Sequence, residues 1–374
     1  MFDPKLHRRL EEQFNVLLND SCNLNLLKMD RLPGDASRRE YFRLHHDGGT
    51  LIGVCGEDSK ENHSFIYFCR HFHSLGLPVP TLYANRTDQG IYIIEDLGDK
   101  TMAERISDPS ISKEEISRLY GQSVKDLVDF QILGHMGLDY ENNCHQYPVF
   151  DRKNAEADLE YFVKHFLILL RNYSTTSLIE RELDELTEIL AEPQPMFFLY
   201  RDFQCRNIIV RPDKSLGYID FQAGRQGPLQ FDIATLLYAS KATVSDDERK
   251  IILHKYLDQL ERVITLLNDS TNGGGKKFSG ATPINRSEFL DRYYFFVLFR
   301  ILRALGVYLF LAVEEGHWRF VEAVPLALRN IAGIFSEHIF LAEAFPELHE
   351  LTRRLSSEES FLTPATLMKL IISH

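Results

Sequence analysis

Apolar and polar residues in the first part of the chain are arranged in extended, strand-like runs. These runs occupy residues 40–46, 50–56 and 91–97, and the turn Asp-Gly-Gly at 47–49 joins the first two. Glycine reaches the positive φ angles that a tight hairpin turn requires, so these two runs are predicted to pair. Residues 60–75 instead have a helical pattern. We therefore predict a small sheet with one helix here.

Long helical stripes replace this pattern after Asp96. Ser112 with Glu115 and Ser245 with Glu248 have capping-box spacing, in which each side chain satisfies an unpaired backbone N–H at a helix start. We therefore predict an α+β chain, with a sheet-containing domain at 1–95 and a mainly helical domain at 96–374. Short extended runs interrupt the helices at 196–200, 207–210 and 217–221.

Three further segments have a distinctive composition. Apolar positions 6, 10, 14, 17 and 18 follow helical spacing, which indicates a surface-packed helix and not a signal peptide. Residues 293–316 are long and apolar enough to span a bilayer, but Arg300 and Arg303 lie near their middle, where charge is costly in hydrocarbon. We expect a buried helix of a soluble protein. Residues 268–283 are rich in Gly and Ser and are expected to form a mobile loop.

Charge and cysteine content restrict the function. The formal net charge of -12 argues against general attraction to nucleic acid or to an anionic membrane, because both need a basic surface. The 5 cysteines include no C-x-x-C pair, so neither a disulfide framework nor a zinc ribbon is indicated. A cytoplasmic protein with neither nucleic acid nor membrane as a partner is therefore expected.

The short extended runs near the middle of the chain carry the residues with candidate chemistry. In YRDFQCRN, residues 200–207, Asp202 precedes Asn207 by five positions, and Asp220 follows at the end of the next hairpin strand. A hairpin brings its strand ends together, so these three side chains are expected to converge. Phosphoryl transfer uses such a set. Asp202 is the predicted catalytic residue that accepts the proton of the attacking hydroxyl, and Asn207 and Asp220 are the predicted magnesium ligands.

Five stretches, in their order along the chain, resemble one known superfamily. They are LPGDASRREYFRL, GLPVP, IIEDLGD, FLYRDFQCRNIIV and GYIDFQAGRQGPLQFDIATLL. They are similar to the aminoglycoside phosphotransferase and choline kinase-like superfamily, and within it to the bacterial N-acetylmuramate/N-acetylglucosamine 1-kinases. RILRALGVYLF resembles a further helix of that group, so the resemblance covers nearly the whole chain.

This resemblance implies a two-lobed protein-kinase-like fold, with a small antiparallel β-sheet in the N-terminal lobe and a mainly helical C-terminal lobe. It implies ATP and Mg²⁺ as cofactors, with residues 1–95 as the nucleotide-binding lobe. Glu95 to Leu97 would be the hinge whose backbone binds adenine. Asp232 matches the residue that supports the catalytic loop, although a helix N-cap is an alternative for it. The implied substrate is a small molecule, namely a sugar or amino sugar that is phosphorylated on a hydroxyl. The resemblance to the sugar 1-kinases implies that this is the anomeric hydroxyl of N-acetylmuramate or N-acetylglucosamine.

The segments that would bind phosphate depart from the protein-kinase pattern. A Gly-x-Gly-x-x-Gly loop is missing, and the turn from Gly34 to Ser37 offers only backbone N–H groups and the Ser37 hydroxyl to phosphates. The strand at 50–56 has no lysine, although protein kinases hold the α- and β-phosphates with a lysine there. Another residue is therefore expected to supply the missing charge.

Four cations near this strand are candidates for that charge. Arg39 and Arg43 are preferred over Arg38 and Lys60, and Glu61 is a candidate orienting partner. A solvated surface position is the alternative for each of them.

Arg300 and Arg303 lie on the otherwise apolar helix near the end of the chain. A buried guanidinium needs a partner, so these arginines either pair internally with carboxylates or bind an anionic group of the substrate. The second alternative favours a carboxylate- or phosphate-bearing sugar over a polycationic aminoglycoside.

Two other functions remain open at this point. An aminoglycoside or choline-type kinase would need a carboxylate-lined pocket for its cationic substrate. A nucleotide-binding pseudokinase without transfer activity would account for the missing lysine, although the complete set of Asp202, Asn207 and Asp220 disfavours it.

Overall fold

The computed structural model describes residues 4–33, 39–170, 176–239, 244–271, 285–358, 361 and 363–373. The chain divides into two compact units. The first comprises Met1–Pro148 with Tyr200–Arg225, and the second comprises Val149–Leu199 with Gln226–His374. The predicted domain boundary at residue 95 stays a prediction. Of the predicted mobile loop, residues 268–271 end a helix, and 272–283 lie outside the described residues.

An antiparallel sheet of five strands forms the base of the first unit. The strands are β1 (Lys28–Arg31), β2 (Glu40–His46), β3 (Gly49–Cys55), β4 (Leu82–Arg86) and β5 (Ile91–Glu95), and their order is β1-β2-β3-β5-β4. The predicted hairpin is confirmed, since His46 pairs with Gly49 and Gly49 has a φ of +139°. β2, β3 and β5 match the extended runs of the sequence, whereas β1 and β4 were not predicted.

The helix α1 (Pro4–Cys22) covers one face of this sheet. Its Phe14 packs against Phe42 of β2 with 5.9 Å between ring centroids, and both rings are buried. Gly53 of β3 leaves room for this contact, because a Cβ there would lie 2.8 Å from the Phe14 ring. The helical pattern at the start of the sequence therefore reflects a helix that packs on the sheet.

The first unit also contains α2 (Ser59–Ser74), α3 (Met102–Ile106), α4 (Lys113–Ile132), α5 (Tyr140–Asn143) and a hairpin of two short strands. The backbone N–H of Glu115 donates to the Ser112 hydroxyl at 3.2 Å, so Ser112 caps α4 as predicted. Thr101 and Glu104 form a complete capping box at α3, which was not predicted.

Helices dominate the second unit, as predicted for the later part of the chain. Its strand β6 (Phe197–Leu199) pairs with β9 (Arg225–Gly227). The hairpin strands between them, β7 (Ile208–Val210) and β8 (Leu216–Tyr218), belong to the first unit. Among the residues described in the second unit, the α-helices are α6 (Arg152–Tyr161), α7 (Thr176–Ala191), α8 (Leu229–Tyr238), α9 (Asp246–Thr271), α10 (Arg286–Val313), α11 (Val324–Glu337), α12 (Ile339–Ala344), α13 (Pro346–Ser357) and α14 (Pro364–Ser373).

Two sequence expectations for this unit agree with the structure. Ser245 and Glu248 exchange the hydrogen bonds of a capping box at the start of α9. Within the described ranges, α10 is the one helix long and apolar enough to cross a membrane, and 61% of its most apolar window is buried inside the structure. A core helix is the simplest account of this burial.

Candidate active site

The segment 200–207 is irregular, and buried aromatic rings fix its course. The Tyr200 hydroxyl donates to the backbone carbonyl of Ile219 at 2.7 Å. The ring of Phe203 stacks on that of Tyr218 with 5.3 Å between centroids. All three rings are at most 1% exposed. The aromatic residues of the motif therefore hold this segment against β8 and the residues that follow it.

The three residues predicted for phosphoryl transfer lie together. Asn207 donates through Nδ2 to Oδ2 of Asp220 at 3.1 Å and to the backbone carbonyl of Asp202 at 2.9 Å. The carboxylate of Asp202 accepts a hydrogen bond from Nε2 of Gln204 at 3.2 Å. Asn207 thus connects the loop that carries one aspartate to the side chain of the other. The expected convergence at the ends of the hairpin is present, while the chemical roles stay predictions.

Two residues of this site have backbone conformations that are unfavourable for side chains with a Cβ. Arg201 has a φ of +76° and Asp220 a φ of +71°. Such conformations cost on the order of 1–3 kcal/mol each and persist only where the surroundings impose them. The hydrogen bond from Tyr200 to Ile219 joins the two residues that immediately precede them. The strain therefore lies at Asp220 and directly before Asp202, the two aspartates with candidate chemistry.

Arg39 reaches this site from the position just before β2. Its Nη2 lies 3.1 Å from Oδ1 of Asp220, its Nε lies 3.5 Å from Oε1 of Glu61, and its Nη1 donates to the Tyr92 hydroxyl at 3.3 Å. The side chain is only 3% exposed. Burial acts to lower the pKa of Arg39, but Tyr41, Tyr92, Asp220 and Glu61 raise it overall, so the guanidinium stays charged.

Gln222 is a part of this site that the sequence did not reveal. Its Nε2 donates to Oδ1 of Asp220 at 2.9 Å and lies 3.3 Å from Oε1 of Glu61. No motif in the sequence pointed to it, because a glutamine two residues after an aspartate has no chemical signature of its own. Gln222 becomes part of the site because the fold brings Glu61 of α2 close to Asp220, and Gln222 contacts both carboxylates.

Arg43 has carboxylate partners at the predicted hinge. Its Nε and Nη2 donate to the two oxygens of Asp96 at 2.7 and 3.2 Å, and Nη1 forms an ion pair with Asp99. Asp96 also accepts a hydrogen bond from the Thr50 hydroxyl at 2.8 Å. Burial acts to raise the pKa of Asp96, but hydrogen bonds from Arg43, Thr50 and a backbone N–H lower it overall. A role of Arg43 in nucleotide binding stays a prediction.

The other residues predicted to contact the nucleotide are Ser37, Glu95 and Leu97. Ser37 lies outside the described residues. Glu95 ends β5, where its backbone N–H donates to Thr81 and its carboxylate accepts from the Thr81 N–H at 3.0 Å and from Arg211 at 3.1 Å. Leu97 is buried. Adenine binding by this hinge stays a prediction.

The predicted support and substrate residues belong to the second unit. Asp232 is fully buried in the first turn of α8. Arg300 lies 4.9 Å from the ring centroid of Phe231, and Nε of Arg303 lies 2.9 Å from Oδ1 of Asp158. For Arg303 the structure thus contains the internal carboxylate pairing that was one of the two alternatives. The proposed functions of Asp232, Arg300 and Arg303 stay predictions.

In the part of the chain that the structure describes, no three His, Cys, Asp or Glu side chains group as a metal centre. A magnesium site of the kind predicted here needs no such group, because it has one carboxylate and one amide and is completed by phosphates and water. Asp220 and Asn207 have that composition.

Comparison with known proteins shows which family and which solved structures this chain is similar to. The model of a family described as the phosphotransferase enzyme family matches residues 28–266. The N-acetylmuramate/N-acetylglucosamine kinase of Neisseria meningitidis is 22% identical over 336 residues, which covers 87% of this chain and 91% of the relative. The choline kinase LicA of Streptococcus pneumoniae superposes with a TM-score of 0.54 at 13% identity, covering 86% of this chain and 99% of that one. An ethanolamine kinase of Plasmodium vivax gives 0.57 at 12% identity, with coverages of 88% and 90%. These likenesses confirm the predicted two-lobed, kinase-like α+β fold.

Proposed function

The chain belongs to the phosphotransferase enzyme family, and from this premise we propose that it transfers a phosphate of ATP, with Mg²⁺, to a hydroxyl of an N-acetylated amino sugar. The observation that carries the proposal is the pair of hydrogen bonds from Asn207, which hold the Asp202 loop beside the Asp220 carboxylate. In-line phosphoryl transfer requires such an arrangement, with a proton acceptor next to oxygens that bind an ion.

Asp202 is the proposed catalytic residue. Its carboxylate orients the attacking hydroxyl and accepts its proton. The hydrogen bond from Gln204 limits rotation of that carboxylate. Since phosphoryl transfer depends mainly on positioning and charge neutralisation, a carboxylate of fixed orientation is well suited to the reaction. Asp232 is proposed to support the catalytic loop from α8.

Asp220 and Asn207 are the proposed magnesium ligands, and their chemistry fits this ion. Magnesium prefers a few hard oxygen ligands and retains several waters. The side chain of Asp220 is 34% exposed, so its carboxylate is accessible, and Asn207 places an amide beside it. When bound, the ion neutralises charge on the nucleotide phosphates.

The nucleotide is proposed to bind through the hinge and through the turn before β2. Glu95 and Leu97 would contact adenine with their backbone groups, and Ser37 would contact phosphates. Arg43 contributes by holding Asp96, the residue between Glu95 and Leu97. A cytoplasmic location is proposed with this activity, in agreement with the five free cysteines.

An N-acetylated amino sugar is proposed as the acceptor because of the Neisseria relative and because of local charge. In segment 200–207, Asp202 is the acidic residue, and Arg201 and Arg206 are its charged neighbours. A cationic acceptor such as choline or an aminoglycoside needs complementary carboxylates. We therefore favour the anomeric hydroxyl of N-acetylglucosamine or N-acetylmuramate. Arg300 remains a candidate for the carboxylate of the latter, and Arg303 a weaker one because it pairs with Asp158.

A coupled ADP-release assay tests the proposal with N-acetylmuramate, N-acetylglucosamine, neutral hexoses, choline and kanamycin as acceptors. We expect ADP formation with the two amino sugars, and ³¹P NMR of the product identifies the phosphorylated hydroxyl. Turnover confined to choline or kanamycin would reject the proposed acceptor. Nucleotide binding without turnover on any acceptor would reject the proposed activity.

A further inference from the structure

The face of the sheet opposite α1 lacks a lysine on β3. Side chains alternate along strands, and Leu51 and Gly53 face α1. Ile52 and Val54 therefore face the other side, where protein kinases carry their phosphate-binding lysine. Both residues are apolar. The positive charge for the phosphates has to come from another element.

Arg39 brings a guanidinium to this face from just before β2. Its guanidinium carbon lies 5.8 Å from the ring centroid of Tyr41, and Tyr41 pairs with Val54, so Arg39 lies on the face of the sheet that Val54 occupies. Its side chain is 3% exposed, whereas its partners Glu61 and Asp220 are 23% and 34% exposed. A buried cation is thus held between two carboxylates that solvent can reach. A desolvated ion pair contributes little net stability, so stabilisation of the fold alone is a poor explanation for the buried guanidinium of Arg39.

Gly56 opens the path by which Arg39 reaches these carboxylates. A Cβ at Gly56 would lie 3.0 Å from Cγ of Arg39 and 2.7 Å from Oδ1 of Asn62. Asn62, on α2, donates through Nδ2 to the carbonyl of Gly56 at 2.7 Å. The backbone after β3 is therefore drawn toward α2 and has no side chain where the stem of the arginine passes.

Gln222 completes a closed ring of four side chains. Arg39 and Gln222 each contact Oδ1 of Asp220 and Oε1 of Glu61, at distances between 2.9 and 3.5 Å. Gln222 is 6% exposed and contributes donors without charge. One cation and one neutral amide therefore fix the positions of the Asp220 and Glu61 carboxylates relative to each other.

We propose that Arg39 binds the nucleotide phosphates in place of the absent strand lysine, that Glu61 orients it, and that Gln222 keeps Asp220 in position. This assignment rests on the proposed kinase function. A guanidinium has five N–H donors in a planar fork, so Nε can stay beside Glu61 while the terminal nitrogens bind phosphate oxygens. The amide of Gln222 still holds Asp220 when those nitrogens turn from Asp220 to the phosphates.

Binding of ADP and of adenosine, measured by calorimetry, tests this assignment. Arg39→Met is expected to weaken ADP binding by about 10- to 100-fold, because a charge-assisted hydrogen bond is lost. Adenosine has no phosphate, so its affinity should change by less than about threefold. Arg39→Lys keeps the charge and should retain part of the ADP affinity. Arg31→Met removes an exposed arginine that pairs with Glu40 in the same sheet, and it should change neither affinity.

Equal losses for ADP and adenosine would overturn the assignment, since they would indicate a structural role. Unchanged ADP binding in Arg39→Met would overturn it as well. If Arg39→Met does not fold, Glu61→Gln replaces it, with an expected loss of about 3- to 10-fold for ADP alone. If the wild-type protein binds neither ligand, the proposed kinase function is contradicted. If the wild-type protein binds both ligands and the Arg39 variants keep its ratio of ADP affinity to adenosine affinity, only this inference is contradicted.

Discussion

The hydroxyl of Tyr218 donates a 2.7 Å hydrogen bond to Oδ2 of Asp126, and both side chains are buried. Asp126 belongs to α4, and Tyr218 ends β8 two residues before Asp220. Gln122 donates to the other carboxylate oxygen at 2.8 Å. This contact therefore fixes the hairpin that carries a candidate metal ligand to a helix of the same unit.

Asp126→Ala is expected to lower the free energy of unfolding by about 1–3 kcal/mol, because the buried hydroxyl of Tyr218 loses its acceptor. Asp126→Asn keeps an acceptor oxygen and should cost less. Urea unfolding of the three proteins measures both effects. An alanine variant as stable as the wild type would show that the hydroxyl finds another partner.

The same carboxyl predicts a pH dependence of stability. Burial raises the pKa of Asp126 above its ordinary value. The folded protein then holds this proton to a higher pH than the unfolded chain, so the stabilisation is complete at pH below the ordinary value of about 3.8 and is lost as pH rises through the folded value. Asp126→Asn has no such proton. Its stability relative to the wild type should increase from pH 4 to pH 7, and a constant difference would contradict the raised pKa.

Glu182 of α7 caps α13 from a distance in sequence. Its two carboxylate oxygens accept from the backbone N–H groups of Glu347 and Leu348 at 2.7 and 2.8 Å. Phe345, at the N-cap position, makes no side-chain capping bond. Glu182→Ala should therefore destabilise the protein by about 1–2 kcal/mol in thermal or urea unfolding. The exposed neighbour Glu185 provides the matched control, Glu185→Ala, for which no comparable loss is expected.

Variants of the candidate active site should separate catalysis from binding. Asp202→Asn should lower kcat by roughly 10²- to 10⁴-fold, since the proton acceptor is lost, while ADP affinity stays similar. Asn207→Ala and Asp220→Ala should instead weaken binding of the magnesium–nucleotide complex, which calorimetry with and without Mg²⁺ reveals. Wild-type turnover in Asp202→Asn would end the proposed role of that residue.

Local signals in the sequence predicted the parts of the fold that depend on neighbouring residues. The Asp-Gly-Gly turn predicted the β2–β3 hairpin, and the spacing within segment 200–220 predicted that Asp202, Asn207 and Asp220 converge. The capping residues Ser112 and Ser245 were recognised for the same reason, because a cap is formed within one helical turn.

Contacts between distant segments were not predictable in this way. β1 and β4 are short, and both lie at the edges of the sheet, so their patterns are weak. The ring that Arg39 forms with Glu61, Asp220 and Gln222 joins distant segments, since 183 positions separate residue 39 from residue 222. Spacing along the chain contains no information on such a contact. Charge and position near β3 suggested both Arg39 and Arg43, and our preference for Arg39 rests on its contacts with Glu61 and Asp220, whereas Arg43 pairs with Asp96.

Gly306 of α10 lies at a close contact between helices of the second unit. A Cβ there would lie 2.2 Å from the backbone carbon of Tyr161 and 2.3 Å from the backbone nitrogen of Phe162. At this junction α6 passes into a wider turn of π-helix over Phe162–Phe166. Because the obstructing atoms are backbone and not a flexible side chain, no rotamer change can relieve the clash.

Gly306→Ala should therefore lower the free energy of unfolding by about 1–3 kcal/mol, the usual range for overpacking. Gly333→Ala is the matched control, because Gly333 also lies inside a helix, α11, and a Cβ there meets nothing within 4 Å. Alanine favours helix over glycine by about 0.5–1 kcal/mol, so this control should stabilise the protein. Opposite signs for the same chemical change, measured by urea unfolding, would show that backbone packing and not helix propensity selects glycine at 306. A stabilising Gly306→Ala would contradict the close approach of α10 to α6.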